Sequence, residues 1–362
     1  MQYSQGLRKV AAASLLLGLT ASTVPAFSQA HAQQPRAASG TVGFLFSDFT
    51  TSARWKSDRD YYVGALKMLA PGVTVKIQDA STDQTRQQTQ AASLLTAGAK
   101  VLVDVPVDSG QAGAIVKAAH ANKPYVPVIA YDRLISGAAE DAYVSFDGFS
   151  VGVQQAKYLI SQVKKGTIVS IAGATTDNNA HLFYNGAMSV LKPLIANGTY
   201  KLGYDKFTPK WDNNTAQAEM ASALTKLNNK VDGVLVANDG MAGGVVAALK
   251  AQNLAGKIPV TGQDATTAGL QQILLGTQSM TVYKPLKSLA TTAAQVTNTF
   301  LQGKKFTSKT MVQSGTFSIP SVLLPVVTVT KANIKQTVLK DGFVTKAVLC
   351  NGIAAACTAA GL

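Results

Sequence analysis

The chain has 362 residues, 47% hydrophobic and 14% charged, which is enough apolar material for a large core and for more than one lobe. Its formal charge is +14, but the lysines and arginines are scattered and form no basic run with interleaved aromatics, so nucleic acid is not an expected partner. The two cysteines and three histidines show no ligand spacing for a tetrahedral site, so no metal and no cofactor are expected.

The N-terminus reads as an export signal. Arg8 and Lys9 precede the apolar stretch "VAAASLLLGLTAS" (10–22), and "AHA" (30–32) is a small-x-small cleavage site. The stretch is shorter than the roughly 20 residues a membrane span needs. Residues 1–32 are therefore expected to be a cleaved signal peptide, whose two cations and no acid leave a mature charge of +12. Residues 33–40 read as a flexible leader.

From residue 41 on, short apolar runs alternate with helical periodicity. The expected strands are 42–46, 73–80, 101–107, 126–132 and 143–147, then 167–173, 201–207, 231–239, 258–264 and 280–284. Continuously apolar strands alternating with helices imply parallel sheets covered on both faces. Ten strands exceed one ordinary doubly wound sheet, so the expected fold is α/β with two doubly wound parallel-sheet lobes that divide near residue 147. The run "SIPSVLLPVVTVT" (318–330) and the segment after it read as a wrapping tail. Cys350 and Cys357 in "CNGIAAAC" read as a small disulfide loop of an exported protein.

Several strands end on polar groups. "VPVIAYDRLI" (126–135) ends on Asp132 and Arg133, "AND" on Asn238 and Asp239, "GQD" on Asp264 and "YKP" on Lys284. Open parallel sheets bind ligands beyond the carboxyl ends of their strands, where such groups face a crevice. Asp48, Asp147 and Asp239 read equally well as helix N-caps. Arginine and lysine are poor caps, which favours a site for Arg133 and Lys284. Carboxylates, amides, a guanidinium and an ammonium together suit a ligand dense in hydroxyls. The two tryptophans, Trp55 and Trp211, sit in polar sequence and read as platforms for a sugar ring, with core tryptophans as the alternative. No GxSxG, HExxH, phosphate-cradling loop or GxGxxG follows the first strand, so no enzyme is expected.

The ordered strings "RWKSDRD", "AYDRLI", "YVSFD", "DNNAHLF", "VLVANDGMAGG", "GQDA" and "GTQSMTVYKP" resemble the periplasmic D-xylose-binding proteins, solute-binding subunits of sugar ABC importers with the type I periplasmic binding protein fold. The resemblance covers about residues 41–345. It implies two lobes joined by three crossings: a first of 41–146 and 285–312, and a second of 147–284 and 313–345. Residues 346–362 remain as a tail outside the pattern. It also implies a ligand set of Arg54, Trp55, Asp132, Arg133, Asp177, Asn179, Trp211, Asn238, Asp264 and Lys284. The implied protein is a periplasmic monomer that binds a monosaccharide, D-xylose first, and serves a membrane permease, with a chemoreceptor as a further candidate partner. The rival readings are a binder of glucose, arabinose or ribose and, from another class, a secreted carbohydrate-active enzyme. The loop "FSDFTTSARW" is less acidic than the family's.

Overall fold

The computed structural model describes residues 39–52 and 54–362. The expected signal peptide lies outside the described residues, as does the leader up to residue 38. Ser39 and Gly40, expected in the leader, already pair as strand with Gly72 and Val73.

Strand and helix alternate through β1 (Ser39–Phe46), α1 (Arg54–Leu69), β2 (Gly72–Asp79), α2 (Gln84–Thr96), β3 (Ala99–Asp104), α3 (Gly113–Ala121), β4 (Val128–Tyr131) and β5 (Ala142–Phe146). The chain continues with α4 (Gly148–Gln162), β6 (Gly166–Ala172), α5 (Asn178–Ala196), β7 (Tyr200–Phe207), α6 (Asn213–Lys226), β8 (Gly233–Val236), α7 (Asp239–Ala251), α8 (Thr267–Leu275) and β9 (Thr281–Tyr283). Then follow α9 (Leu286–Leu301), β10 (Thr310–Ser314), β11 (Phe317–Leu324), β12 (Val327–Val329), α10 (Lys346–Leu349) and α11 (Ala354–Ala359).

The first lobe is built on a seven-stranded sheet of order β10-β11-β5-β4-β3-β1-β2, parallel except for β10. Its central strands are apolar on both faces for a reason. Phe44 and Phe46 pack with Tyr62 and Leu66 of α1, while Leu45 between them packs with Leu94 of α2 and Ile115 of α3. The second lobe carries β7-β6-β8 and the pair β9-β12. The strand expected at 258–264 joins them only through single bridges, Val260 to Val234 and Gln263 to Val282. The backbone turns to positive φ where this segment ends, at Asp264 (96°).

The boundary expected near residue 313 is displaced. Phe317–Leu324 pairs with β5 in the first sheet, and only Val327–Val329 pairs with β9 in the second. "VLLPVV" reads as one strand in sequence, but Pro325 has no amide to donate and the ladder changes sheets there. The crossings run side by side: the Asp147 amide donates to the Leu324 carbonyl at 3.0 Å, and the Lys284 Nζ lies 5.8 Å from the Phe146 ring centroid.

The tail packs against the second lobe. Val338, Leu349 and Cys357 share a cluster with Leu270, Ile273 and Leu274 of α8, and Gln271 Nε2 donates to the Leu349 and Asn351 carbonyls at 3.0 Å each. Cys350 and Cys357 are joined by a disulfide. Among the described residues no helix is long and apolar enough to cross a membrane.

Helices α4 and α5 cross at glycine. A methyl group on Gly152 would stand 1.8 Å from the Phe183 carbonyl oxygen, and one on Gly186 2.1 Å from that of Phe149. Helix propensity alone would make Gly152→Ala stabilising by about 1 kcal/mol. Overpacking predicts the opposite sign, a loss of about 1–3 kcal/mol in urea unfolding. A neutral or stabilised variant would show that the two helices do not need this close approach.

Candidate ligand-binding cleft

The residues expected from the strand ends and the family pattern converge. Arg54, Trp55, Asp132, Arg133, Asp177, Asn179, Trp211, Asn238, Asp264 and Lys284 all line one cavity, together with Thr51, Ser52, Phe183 and Gln263. The ten expected residues sit where a strand gives way to a helix or loop. Arg54 and Trp55 open α1, Asp132 and Arg133 follow β4, and Asp177 and Asn238 cap α5 and α7. Trp211 closes a 3-10 turn beyond β7, and Lys284 ends β9 at the second crossing.

Asp132 caps no helix. Its backbone is held at φ 63°, in the left-handed region that few side chains adopt. Four bonds pin it there: its amide donates to Val144 O (2.8 Å), and its carbonyl accepts from Ser145 Oγ (2.6 Å), Tyr143 OH (3.2 Å) and Asn179 Nδ2 (3.0 Å). This turn aims the carboxylate into the cleft. Among the alternatives, Asp147 is a plain cap that accepts from the Ser150 amide at 3.0 Å. Asp48 closes its own loop through the Thr50 amide at 2.7 Å. Asp239 is buried and takes bonds from Gln278 Nε2 and the Thr266 amide at 2.7 and 2.8 Å; burial pushes its carboxyl up to about 7. Asp177 and Asn238 do both jobs, capping a helix while lining the cavity.

The charges form two chains. Arg54 Nε meets Asp58 at 2.9 Å, and its Nη1 meets Asp132 at 2.9 Å and Asp264 at 3.8 Å. Lys284 Nζ continues to Asp264 at 3.0 Å and Asp132 at 3.9 Å. Separately, Arg133 Nε meets Asp177 at 2.8 Å, and Trp211 Nε1 donates to the same carboxylate oxygen at 3.1 Å. Burial works to raise the Asp132 carboxyl, but Arg54, Lys284 and Arg133 outweigh it and hold the group below the usual carboxylate value. For Asp177, burial wins over Arg133 and the Asn179 amide, and its carboxyl is raised. Near Arg133 the Asp104 carboxyl is buried with no hydrogen-bond partner among the described residues, and Glu140 is buried close to Asp104. Burial raises both, Glu140 to about 8.

Both tryptophans are buried, at 2% and 7% exposure, so each is a core residue and a cavity wall at once. The Arg54 and Arg133 guanidiniums lie 4.6 and 5.4 Å from the Trp55 ring centroid, so this indole braces the two arginines. Trp211 meets Phe183 edge-on at 6.3 Å. It reaches its place because Gly173 has no side chain; a methyl group there would stand 2.1 Å from the indole.

Sequence reasoning missed Thr51, Ser52, Phe183 and Gln263. Phe183 lies four residues after Asn179 on α5, on the same helical face, and that spacing was available. The same spacing pairs Arg54 with Asp58. Gln263 gave no signal beyond standing before Asp264. Three cations and three carboxylates on the wall balance, which suits a neutral, hydroxyl-rich ligand better than an ion. Among the described residues no group of three metal-binding side chains occurs.

Two α/β lobes with a polar cleft between their strand ends define a solute-binding protein. The chain belongs to the periplasmic binding protein family, whose domain model matches residues 42–305. It is 39% identical over 330 residues to the D-xylose-binding periplasmic protein of Escherichia coli, covering 91% of this chain and 97% of that one. It is 34% identical over 352 residues to the multiple sugar-binding periplasmic receptor of Rhizobium radiobacter, covering 91% and 96%. A carbohydrate transporter solute-binding protein from Chloroflexus aurantiacus, solved in complex with D-glucose, superposes with a TM-score of 0.78 at 30% identity, covering 85% of this chain and 97% of that one.

The lowered Asp132 carboxyl has a consequence for stability. A group depressed in the folded state stabilises above its unfolded value, about 3.9, and that contribution fades as pH falls through the folded value. Asp132→Asn should lower urea stability at pH 7 by about 1.5–3 kcal/mol, the worth of a hydrogen bond to a charged group. The two proteins should converge as the pH falls from about 3.9 through the folded value of Asp132. Parallel curves across that range would remove Asp132 from the buried network.

Proposed function

We propose that this chain is the solute-binding subunit of a sugar ABC importer, exported to the periplasm, and that its cleft closes on one monosaccharide, D-xylose, for delivery to the membrane permease. One observation carries the reading: side chains from both lobes and from the crossing converge on one cavity with balanced charge and many hydrogen-bonding groups. Hydroxyls both donate and accept, so a sugar can replace the ion-pair contacts with charge-assisted hydrogen bonds. Asp132 and Arg133 serve as grips on sugar hydroxyls, and Trp211 and Phe183 supply apolar surface for the ring's C–H faces. The preference for xylose is supported by the greater identity to the D-xylose-binding relative than to the multiple-sugar receptor. A second reading, a hexose as ligand, has the glucose-bound structural relative in its favour. A chemoreceptor that recognises the closed form would be a second client of the same movement.

Calorimetry against D-xylose, L-arabinose, D-ribose and D-glucose should show reversible binding, with D-xylose at submicromolar affinity, about −8 kcal/mol or better. Tighter binding of another sugar would correct the specificity, and no heat with any sugar would end the reading. Trp211→Ala should weaken binding by about 1–3 kcal/mol through lost ring-face burial. Unchanged affinity in the folded variant would return Trp211 to a purely structural role.

A further inference from the structure

We propose that Ser109 is a latch between the lobes that sets how tightly the cleft holds any sugar without reading which sugar it is. The proposal rests on the binding reading above. Ser109 follows β3 in the first lobe. Its amide donates to the Thr176 carbonyl at 2.8 Å, and its hydroxyl accepts from the Asn178 amide at 3.2 Å. Thr176 and Asn178 flank Asp177 where α5 begins in the second lobe.

The latch differs in kind from the other polar links across the cleft. Arg133–Asp177, Asn179–Asp132, Arg54–Asp264 and Ser52–Asp264 all join side chains or backbone of cavity-lining residues. An arriving sugar competes with those links. Ser109, Thr176 and Asn178 do not line that cavity, so their bonds persist with the sugar in place.

The latch is also built in advance. The Asp108 carboxylate accepts from the Gly110 and Gln111 amides at 2.9 and 3.0 Å, and the Ser109 carbonyl accepts from the Ser136 amide at 2.8 Å. These bonds fix the turn, so little freedom is lost when the lobes meet. On the other side, the Asn178 amide is one of the first helical amides, which have no partner within the helix. Bonds made only in the closed form raise its share among sugar-free molecules, and apparent affinity scales with that share. The factor contains no sugar atom, so it multiplies every affinity alike.

Two variants remove the same bond from opposite sides. Ser109→Ala deletes the acceptor. Asn178→Pro deletes the donor at the first position of α5, which proline tolerates, and the Asp177 backbone before it (φ −106°, ψ 118°) is already extended as a following proline requires. Each should weaken D-xylose, and every other sugar that binds, by about three- to tenfold, mainly through faster release. Ratios between sugars and the melting temperature of the sugar-free protein should stay as in the wild type, and the double variant should be no weaker than the weaker single. Without sugar, paramagnetic relaxation from a spin label across the cleft should report a closed fraction reduced by the same factor. Losses that differ between sugars, that add in the double variant or that come with lower sugar-free stability would overturn the latch. So would an unchanged closed fraction, an outcome readable even if no sugar binds and the functional reading itself fails.

Discussion

Arg54 is a permanent charge with almost no water around it, and the cleft is arranged around the need to satisfy it. Asp58 holds it from below, one helical turn along α1, and Asp132 holds it from the side, at the end of β4. A buried ion without such partners would be strongly destabilising, whereas with them it becomes a fixed point. Burial disfavours the charge, but the three carboxylates outweigh it, so the guanidinium stays protonated. The arrangement ties the start of a helix to the end of a strand within one lobe. Only Asp264, at 3.8 Å, comes from the other lobe. The first lobe thus carries a nearly complete half-site, and the second lobe supplies the remaining contacts.

That division explains the strained backbone. Asp132 has to reach Arg54, Asn179 and the cavity from one position, and an ordinary extended residue at the end of β4 would point its side chain elsewhere. Holding it at positive φ costs energy locally, and bonds from Ser145, Tyr143 and Asn179 offset the cost. Rigid donors and acceptors also favour specificity, because a ligand lacking one hydroxyl would leave a buried group unpaired.

Much of this was legible in the chain. The alternation of apolar runs and helical periods carried the two-lobed fold, and polar residues closing those runs marked the cleft, because strand ends are where a parallel sheet opens to solvent. Order along the chain, as in "AYDRLI" followed by "DNNA" and "GQD", carried the family. What stayed hidden depended on tertiary placement. Pro325 could be seen, but not that the chain changes sheets there. Gly173 could be seen, but nothing local says an indole will lie against it. Gln263 and Ser52 are polar residues among many, and only the packed lobes bring them to the cavity. The latch at Ser109 involves mostly main-chain groups, which every sequence possesses equally.

Lys284 stands where β9 ends and the chain crosses between lobes, with Pro285 fixing the next φ at −68°. A residue at a fulcrum moves least when the arms swing. Its ammonium therefore stays near Asp132 as the cleft opens, while Asp264 and the rest of the second lobe travel further. Opening separates Arg133 from Asp177 and Lys284 from Asp264, but a neutral sugar carries no net charge for that field to act on. A neutral sugar enters without electrostatic guidance, and its rate of entry should be nearly indifferent to the ionic strength of the compartment. Capture of solute is thereby decoupled from the salt the protein meets.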